Sequence, residues 1–363
     1  MPRPVSRRRL LASLAVLPFV ACAAPPAPTA APTAAPTAAP APTSAPAPTS
    51  APAAAAASPA GSSPTKVNLI LDWFPNTNHS GLYVAQSKGW FAQQGVDVNM
   101  QVPSDPSASM KLIGAGQAEL GVSYQAGVEI ARAQDIPVVS VAALLQHNTA
   151  AYAAKSGKNI TRPKDFEGKK FGTSGLAQIE PTLRTVMACD GADFSKVQMV
   201  NVGQKLGPAL LADQVDVIPS LPAWEGLELE LKGNQLAYLP EGKWCVPDVY
   251  TILFMASEDT IKQKPDALRR FLAATAQGYE YAVKNPGEAA DTLLKASPDL
   301  DAPLVKKSQE ILSTQYVADA PRWGVQTLDQ WKKHADWMAE NKLIAKPIDA
   351  TKAFTNDLLP KGQ

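Results

Sequence analysis

The sequence predicts an α/β fold with two lobes, in which each lobe has its own sheet and a ligand cleft lies between them. Strand and helix patterns alternate from Val67 onward, and the alternation restarts near Gly168. Alternation at this spacing favours parallel strands covered by helices. Because ligands bind in such clefts near the carboxyl ends of strands, the loops after the strands are the first place to look for a site.

The lobe boundaries follow from where the pattern restarts and where it returns. We expect residues 65–152 and 250–363 to form the first lobe and residues 153–249 to form the second. The chain would then cross between the lobes near residues 147–155 and 247–252. These crossings would serve as the hinge about which the lobes close on a ligand.

The first half begins with a strand, because residues 67–71 are apolar and rich in residues that favour strands. The following helix has Leu82, Ala85 and Trp90 on one side. Residues 137–145 form a continuous apolar run, as expected for a strand that is buried on both faces. The predicted elements are strands at 67–71, 97–102, 120–124 and 137–145, and helices at 81–90 and 107–115.

The second half repeats this pattern and ends in a helical segment. A long apolar strand at 249–255 is expected to return to the first lobe. The other predicted elements are strands at 168–173, 197–202 and 215–219, and helices at 181–189, 206–212, 265–283, 287–295, 302–314 and 328–341.

Residues 1–22 resemble an export signal of the lipoprotein type. Four arginines precede an apolar run of about 12 residues, which is too short to span a bilayer. Residues 6–11 resemble a twin-arginine signal, and an ordinary secretory signal is the alternative. Small residues before Cys22 resemble a lipoprotein cleavage site, although Phe19 departs from the usual leucine. We therefore expect a lipid on Cys22 and a location on the outer face of the cell membrane.

The composition separates a tether from a folded part. Residues 23–64 carry no charge and consist almost entirely of Ala, Pro, Thr and Ser, which predicts a disordered or polyproline-like spacer. Four of the 34 basic residues precede residue 10, so the folded part has 30 basic and 33 acidic side chains and a formal charge of −3. A near-neutral body does not indicate a nucleic-acid partner.

Three cysteines and three histidines, none at metal-ligand spacing, argue against a metal site. The chain also lacks a nucleophile elbow and a P-loop. Cys189 and Cys245 are expected to be free, buried thiols, with a disulfide between them as the alternative.

Aromatic, amide and acidic side chains recur on the loops after the predicted strands. A flat heteroaromatic ligand needs aromatic faces to stack on and polar groups at its edges, and these residues supply both. Each tryptophan taken singly is as consistent with core packing. The candidate ligand-binding residues are Trp73, Asn78, Tyr83, Tyr124, Gln125, Ser174, Glu180, Trp224, Tyr250 and Trp323.

The segment LDWFPNTNHSGLYVA at 71–85, followed by KGWF at 88–91, resembles the opening of the thiamine-pyrimidine-synthase-like substrate-binding proteins. Further similar segments lie at 121–125, 163–170 and 318–325. The resemblance implies a type II periplasmic-binding-protein fold and an extracytoplasmic receptor of an ABC importer. It also implies a permease and an ATPase as partners, and we expect the receptor to be a monomer.

One branch of this family is an enzyme that makes the thiamine pyrimidine from its own histidine and a lysine-bound pyridoxal phosphate. The segment that should carry lysine and histidine reads SYQAG at 123–127, and CVPDV at 245–249 replaces the family's cysteine-rich loop. We therefore expect no enzymatic activity and no cofactor. A ligand-binding sensor subunit is a further alternative.

The receptor branches of the family bind riboflavin or a formylated aminopyrimidine. An aminopyrimidine favours acidic partners, whereas the dione edge of a flavin favours amides such as Gln178, Asn76 and Asn78. The Pro/Thr/Ala tether also resembles that of the riboflavin-binding lipoproteins. We therefore expect riboflavin as the transported ligand, with N-formyl-4-amino-5-aminomethyl-2-methylpyrimidine as the alternative.

Overall fold

The computed structural model of the chain describes residues 63–103, 108–176 and 178–361. The predicted export signal, the lipid attachment at Cys22 and nearly all of the predicted tether lie outside these residues. Within the described ranges, no helix combines the length and the apolar character that crossing a membrane requires.

In the part of the chain that the structure describes, ten strands form two five-stranded sheets. The first sheet has the order β2-β1-β3-β10-β4 and the second has the order β7-β6-β8-β5-β9. The strands are β1 Thr65–Ile70, β2 Val96–Gln101, β3 Leu120–Ser123, β4 Val138–Ala143, β5 Ala151–Lys155, β6 Lys170–Thr173, β7 Gln198–Asn201, β8 Val217–Ser220, β9 Leu236–Pro240 and β10 Leu253–Ser257.

Helices cover the sheets, and the long C-terminal helices were all predicted within two residues of their observed ends. The α-helices are α1 Ser80–Ser87, α2 Trp90–Gln93, α3 Ala108–Gly114, α4 Gln125–Ala133, α5 Ile179–Cys189, α6 Leu206–Leu211, α7 Leu227–Leu231, α8 Glu258–Gln263, α9 Pro265–Lys284, α10 Pro286–Ala296, α11 Ala302–Ser313 and α12 Leu328–Glu340. α4, α7 and α8 were not among the helices predicted from the sequence.

Both sheets are mixed rather than parallel throughout. In the first sheet β1 runs parallel to β2 and β3, whereas β10 runs antiparallel to β3 and β4. The predicted return of this strand to the first sheet is therefore confirmed. In the second sheet β5 runs antiparallel to β8 and β9, and neither β5 nor β9 was predicted. Because β5 begins at residue 151, the predicted lobe boundary at 152/153 falls inside a strand of the second sheet.

The two chain crossings run side by side and are hydrogen-bonded to each other. The backbone amides of Leu144 and Leu145 donate to the carbonyl oxygen of Ile252 at 2.8 and 3.1 Å. Farther along, the amide of Asn148 donates to Oδ1 of Asp248 at 2.8 Å. This pairing fixes the chain at the point where the two sheets meet.

Close packing of α1 on α9 fixes the turn that precedes α1. A Cβ atom at Gly278 would lie 1.9 Å from the carbonyl oxygen of Gly81, so only glycine permits this approach. The hydroxyl of Tyr279 in α9 donates to the carbonyl of Asn78 at 2.7 Å, and that of Tyr316 donates to the carbonyl of Thr77 at 2.5 Å. The buried side chains of Tyr279 and Tyr316 thereby fix the loop between β1 and α1 from the interior of the first lobe.

Cys189 and Cys245 form a disulfide, so the expectation of two free thiols was wrong. Their Cα atoms lie 6.0 Å apart, although 56 positions separate the residues along the chain. This Cα distance is within the usual disulfide range. The bridge ties the end of α5 to the segment after β9, a proximity that exists only in the folded chain.

Candidate functional site

A cavity of about 190 Å³ lies at the carboxyl ends of β1, β3, β6 and β8, between the two sheets. This is the position at which α/β folds place their ligands. Residues of both lobes, both crossings and α12 contribute to its wall. They include Asp72, Trp73, Tyr124, Gln125, Asn148, Tyr152, Ser174, Leu176, Gln178, Ile179, Leu206, Ser220, Leu221, Glu225, Glu241, Val246, Val249, Tyr250 and His334.

Half of the residues proposed from the sequence lie in this wall. Four were proposed because they follow a predicted strand, and Tyr250 because it lies at the beginning of one. Trp73 follows β1, Tyr124 and Gln125 follow β3, Ser174 follows β6, and Tyr250 precedes β10. Since the carboxyl ends of neighbouring strands converge, these positions come together although they are far apart in sequence.

Two predicted residues, Asn78 and Trp323, belong to the interior of the first lobe instead. Asn78 lies in the buried turn before α1, where its backbone N–H donates to Oδ1 of Asn76 at 2.9 Å. Trp323 is 1% exposed and stacks on Tyr279 with ring centroids 4.8 Å apart. Both side chains contribute to packing, and neither is among the residues that line the cavity.

Glu180, Trp224 and Tyr83 also lie away from the cavity. Glu180 is exposed on α5 and pairs with Arg184 one turn later, at 2.6 Å. Trp224 is buried in an apolar cluster with α10 and α11, and Tyr83 packs against the same cluster. Trp224 follows β8 and therefore lies near the cleft. Its side chain packs instead between the second lobe and helices α10 and α11 of the first lobe.

Asp72 is the centre of a buried hydrogen-bond network in the wall. Oδ1 accepts from Nε2 of His79 at 2.9 Å, and Oδ2 accepts from the hydroxyl of Tyr124 at 3.0 Å. Nδ1 of His79 accepts from the backbone amide of Asn76 at 3.3 Å, which places the proton on Nε2. Burial raises the pKa of Asp72, but the hydrogen bonds from His79 and Tyr124 outweigh it, and the pKa lies below the ordinary value of 3.8.

Glu225 supplies a second carboxyl group to the wall, from the short helical turn that follows β8. Oε2 accepts from the backbone amide of Leu221 at 3.1 Å. Burial raises the pKa of Glu225 to about 7, despite the opposing backbone hydrogen bonds. At neutral pH this group can therefore both donate and accept hydrogen bonds. Glu225 lies shortly after β8, and this position in the sequence could have identified it as a candidate site residue.

A third network connects α4, α12 and the second crossing. Oε1 of Glu129 accepts from Nε2 of Gln125 at 3.0 Å, and Oε2 accepts from Nδ1 of His334 at 2.6 Å. Oε1 of Gln125 accepts from the amide of Tyr250 at 3.0 Å. Glu129 is 0% exposed, so it acts through Gln125 and His334, whose side chains reach the cavity. The four-residue spacing of Gln125 and Glu129 is the only local signal for this network.

The chemical character of the wall is that of a binding site for a small aromatic molecule. Trp73 and Tyr124 offer aromatic faces, and aliphatic side chains of the second lobe also line the cavity. Asp72, Glu225 and Glu241 contribute carboxyl groups to the wall of the cavity. Among the described residues, no three His, Cys, Asp or Glu side chains cluster as metal ligands, and the lining includes no lysine.

Comparison with known sequences finds binding proteins and synthases among the relatives. The formylaminopyrimidine-binding protein of Halalkalibacterium halodurans is 29% identical over 80% of this chain and 89% of its own length. A riboflavin-binding protein of Chloroflexus aurantiacus is 25% identical over 82% of this chain and 87% of its own. The 4-amino-5-hydroxymethyl-2-methylpyrimidine phosphate synthase of Legionella pneumophila is 27% identical over 82% and 94%, respectively.

Comparison with solved structures confirms the expected periplasmic-binding-protein fold. The periplasmic aliphatic sulphonate binding protein of Escherichia coli superposes with a TM-score of 0.63 over 80% of this chain and 97% of its own, at 14% sequence identity. Similarity at this identity concerns the fold alone. The sequence profile of the NMT1/THI5-like family matches residues 76–289, which is more than half of the chain. The chain therefore belongs to the NMT1/THI5-like family.

Proposed function

We propose that the protein is the substrate-binding component of an ABC importer and that its ligand is a small aminopyrimidine of the formylaminopyrimidine type. The observation that carries this choice is the position of Glu225, which places a carboxyl group in the cavity wall where it can form paired hydrogen bonds with an aminopyrimidine. The Halalkalibacterium halodurans relative, whose name states this ligand, supports the same choice.

The edge of an aminopyrimidine that carries a ring nitrogen beside an amino group offers one acceptor and one donor. A protonated carboxyl group offers the complementary pair, because its O–H donates to the ring nitrogen and its carbonyl oxygen accepts from the amine. Glu225 is poised to carry that proton near neutral pH. The dione edge of a flavin also offers one donor, its ring N–H, beside a carbonyl acceptor. The choice of the pyrimidine over the riboflavin expected from the sequence therefore rests on the named relatives, of which the formylaminopyrimidine-binding protein is 29% identical and the riboflavin-binding protein 25% identical.

The cavity of about 190 Å³ can hold one six-membered ring with short substituents, so its size is compatible with this ligand.

Stacking supplies the apolar part of the binding. Tyr124 is held by its hydroxyl on Asp72, so its ring does not have to be ordered when the ligand arrives. Trp73 contributes a second aromatic surface, and Leu176 and Ile179 lie on the second lobe. Closure of the lobes about the two crossings would bury the ring between these surfaces.

We infer that the protein is a receptor rather than an enzyme. Among the residues that the structure describes, none that lines the cavity is a lysine able to form a Schiff base with pyridoxal phosphate. The enzyme branch remains represented among the relatives by the Legionella pneumophila synthase. A receptor of this kind would act on the extracytoplasmic side, tethered through Cys22, and deliver its ligand to a permease coupled to an ATPase.

Calorimetric titration of the purified protein with N-formyl-4-amino-5-aminomethyl-2-methylpyrimidine tests the proposal. Glu225→Ala should weaken binding by at least tenfold, because the paired donor and acceptor are lost. Glu180→Ala is the matched control, since it removes an exposed glutamate outside the cavity, and it should leave the affinity unchanged. Equal affinities for the wild type and Glu225→Ala would refute the assigned role of this carboxyl group.

A further inference from the structure

Three ionisable side chains meet at the two chain crossings, outside the cavity lining. Nδ1 of His147 lies 2.6 Å from Oδ2 of Asp248, and Nε2 of the same ring lies 2.9 Å from Oδ1 of Asp319. His147 belongs to the first crossing and Asp248 to the second, whereas Asp319 belongs to the segment between α11 and α12. One ring thus joins three separate parts of the chain.

The two distances determine the protonation state of the ring. A neutral imidazole has one N–H donor and one acceptor nitrogen, and an ionised carboxylate can only accept. Both nitrogens of His147 face carboxylate oxygens, so the two hydrogen bonds form together only when each nitrogen carries a proton. The geometry therefore requires an imidazolium cation between two carboxylates.

The charges around the ring favour the same state. Partial burial lowers the pKa of His147, but the hydrogen bonds to Asp248 and Asp319 outweigh it, and the pKa lies above the ordinary value of 6.5. The hydrogen bond with His147 in turn holds the pKa of Asp319 below its ordinary value of 3.8. Gln330 of α12, which donates to Asp248 at 3.4 Å, is uncharged. Burial raises the pKa of the nearby Tyr250 above 10, so this side chain stays neutral.

The backbone of the crossings is connected to the same groups. Oδ1 of Asp248, which does not face the ring, accepts from the amide of Asn148 at 2.8 Å. The hydroxyl of Thr251 donates to the carbonyl oxygen of His147 at 2.8 Å. Asn148 and Thr251 both line the cavity, so the three side chains lie next to the site without contributing to its wall.

We propose that His147, Asp248 and Asp319 form a proton-dependent clamp on the hinge between the lobes. With a protonated ring, the clamp ties the first crossing to the second crossing and to the segment before α12. Loss of one ring proton leaves a nitrogen lone pair facing a carboxylate, which breaks one hydrogen bond and removes the attraction of the ring for both carboxylates. The proposal concerns motion of the hinge and does not depend on the identity of the ligand.

The direction of the pH dependence follows from the shifted ring. Because the pKa of His147 in the folded protein lies above 6.5, the clamp is complete below pH 6.5 and is lost as the pH rises through the folded pKa. The hinge should therefore be stiffer in mildly acidic than in alkaline solution. The side chains of His147, Asp248 and Asp319 are 40%, 47% and 81% exposed, so salt should weaken the clamp as well.

An NMR titration of the histidine ring resonances of the purified protein tests the protonation state. The chain has three histidines, so the resonance that is missing in His147→Gln is the one to follow. It should titrate above pH 6.5, and Asp319→Asn should move its midpoint toward 6.5. Asp336→Asn, which removes an exposed aspartate paired with Lys332 on α12, is the matched control and should leave the midpoint unchanged. A midpoint at or below 6.5, or one that Asp319→Asn fails to lower, would refute the clamp.

Hydrogen exchange at the crossings at pH 6 and pH 8.5 tests the effect on the hinge. Rates are expressed as protection factors, which removes the intrinsic effect of pH, and the amide of Asn148 is the probe because it donates to Asp248. Protection in the wild type should fall by about threefold to tenfold at the higher pH. His147→Arg keeps a cation with several donors at every pH, so its protection should change by less than about twofold. His147→Gln cannot donate to both carboxylates and should be weakly protected at both pH values.

The three profiles separate the clamp from a purely structural role of His147. Protection in the wild type that is equal at the two pH values would refute the clamp, even if the ring titrates as expected. A profile of His147→Arg that runs parallel to that of the wild type would refute it too, because another group would then be titrating. Neither measurement includes a ligand, so failure of the clamp leaves the proposed function unaffected.

Discussion

The hydroxyl of Tyr124 donates a 3.0 Å hydrogen bond to Oδ2 of Asp72, which joins the loop after β3 to the loop after β1. The other oxygen of the same carboxylate accepts from His79, and the Asp72 side chain is 4% exposed. Three side chains that lie up to 52 positions apart are thereby fixed at the wall of the cavity. The orientation of the Tyr124 ring depends on this carboxylate.

Asp72→Ala should lower the free energy of unfolding by about 3 kcal/mol, because two buried donors lose a charged acceptor. Urea unfolding at pH 7 measures the change. Asp97→Ala, which removes an exposed aspartate from β2, is the control and should change stability by less than about 0.5 kcal/mol. A similar small change in Asp72→Ala would contradict the importance of the network.

The contribution of Asp72 should also depend on pH in a defined direction. Its folded pKa lies below the ordinary value of 3.8, so its stabilisation is present above pH 3.8 and is lost as the pH falls through the folded pKa. The difference in unfolding free energy between the wild type and Asp72→Ala should therefore shrink in strong acid. A difference that grows on acidification would show that the pKa is shifted the other way.

Binding of the formylaminopyrimidine should weaken as the pH rises above 7. Glu225, whose pKa is about 7, must hold a proton to pair with the ring nitrogen. The affinity should therefore fall roughly tenfold for each pH unit above about 7. Glu225→Gln offers a donor and an acceptor at every pH, so it should bind with a nearly constant affinity. Parallel pH profiles of the wild type and this variant would contradict the mechanism.

The same carboxyl group should affect folding in the opposite direction to Asp72. Because its folded pKa is raised, Glu225 stabilises the folded state fully below its ordinary value of 4.5, and this contribution is lost as the pH rises through about 7. As the pH rises from 5 to 8, the free energy of unfolding of Glu225→Gln should therefore increase by about 1–3 kcal/mol relative to that of the wild type. Urea unfolding of both proteins at the two pH values provides the measurement, and an unchanged difference would exclude a raised pKa.

Local pattern was sufficient for most elements of the fold. The helix predicted at 265–283 is observed as Pro265–Lys284, because its apolar positions recur with helical period. The strands β5 and β9 were not predicted from the sequence. The segment Ala151–Lys155 consists mainly of alanines, and it is a strand because β8 and β9 flank it on both sides. Its identity depends on pairing between distant parts of the chain.

The candidate site was predicted only where the position of a residue along the chain determines its position in space. Trp73 and Tyr124 follow parallel strands and therefore reach the cavity. The same rule does not determine the direction of a side chain, so Trp224, which follows β8, is buried in an apolar cluster and does not line the cavity. His334 contacts Glu129 across 205 positions, and this contact depends on packing of α12 that no local pattern encodes.

Reduction of the Cys189–Cys245 disulfide should destabilise the protein by about 4 kcal/mol, because the bridge closes a loop across 56 positions. Cys245 directly precedes Val246 in the cavity wall, so ligand affinity should fall as well. Urea unfolding with and without reductant measures the first effect. The double variant Cys189→Ser/Cys245→Ser should match the reduced protein and should be insensitive to reductant, and a stability unaffected by reduction would contradict the bridge.

The measurement that addresses the ligand most directly is a competitive calorimetric titration of the purified protein with the formylaminopyrimidine and riboflavin at pH 6.5. We expect the pyrimidine to bind at one molecule per chain and riboflavin to produce no saturable heat, as the proposed choice of ligand requires. The pyrimidine should bind with the same affinity whether or not riboflavin is present. Saturable binding of riboflavin that the pyrimidine fails to displace would contradict the proposed ligand.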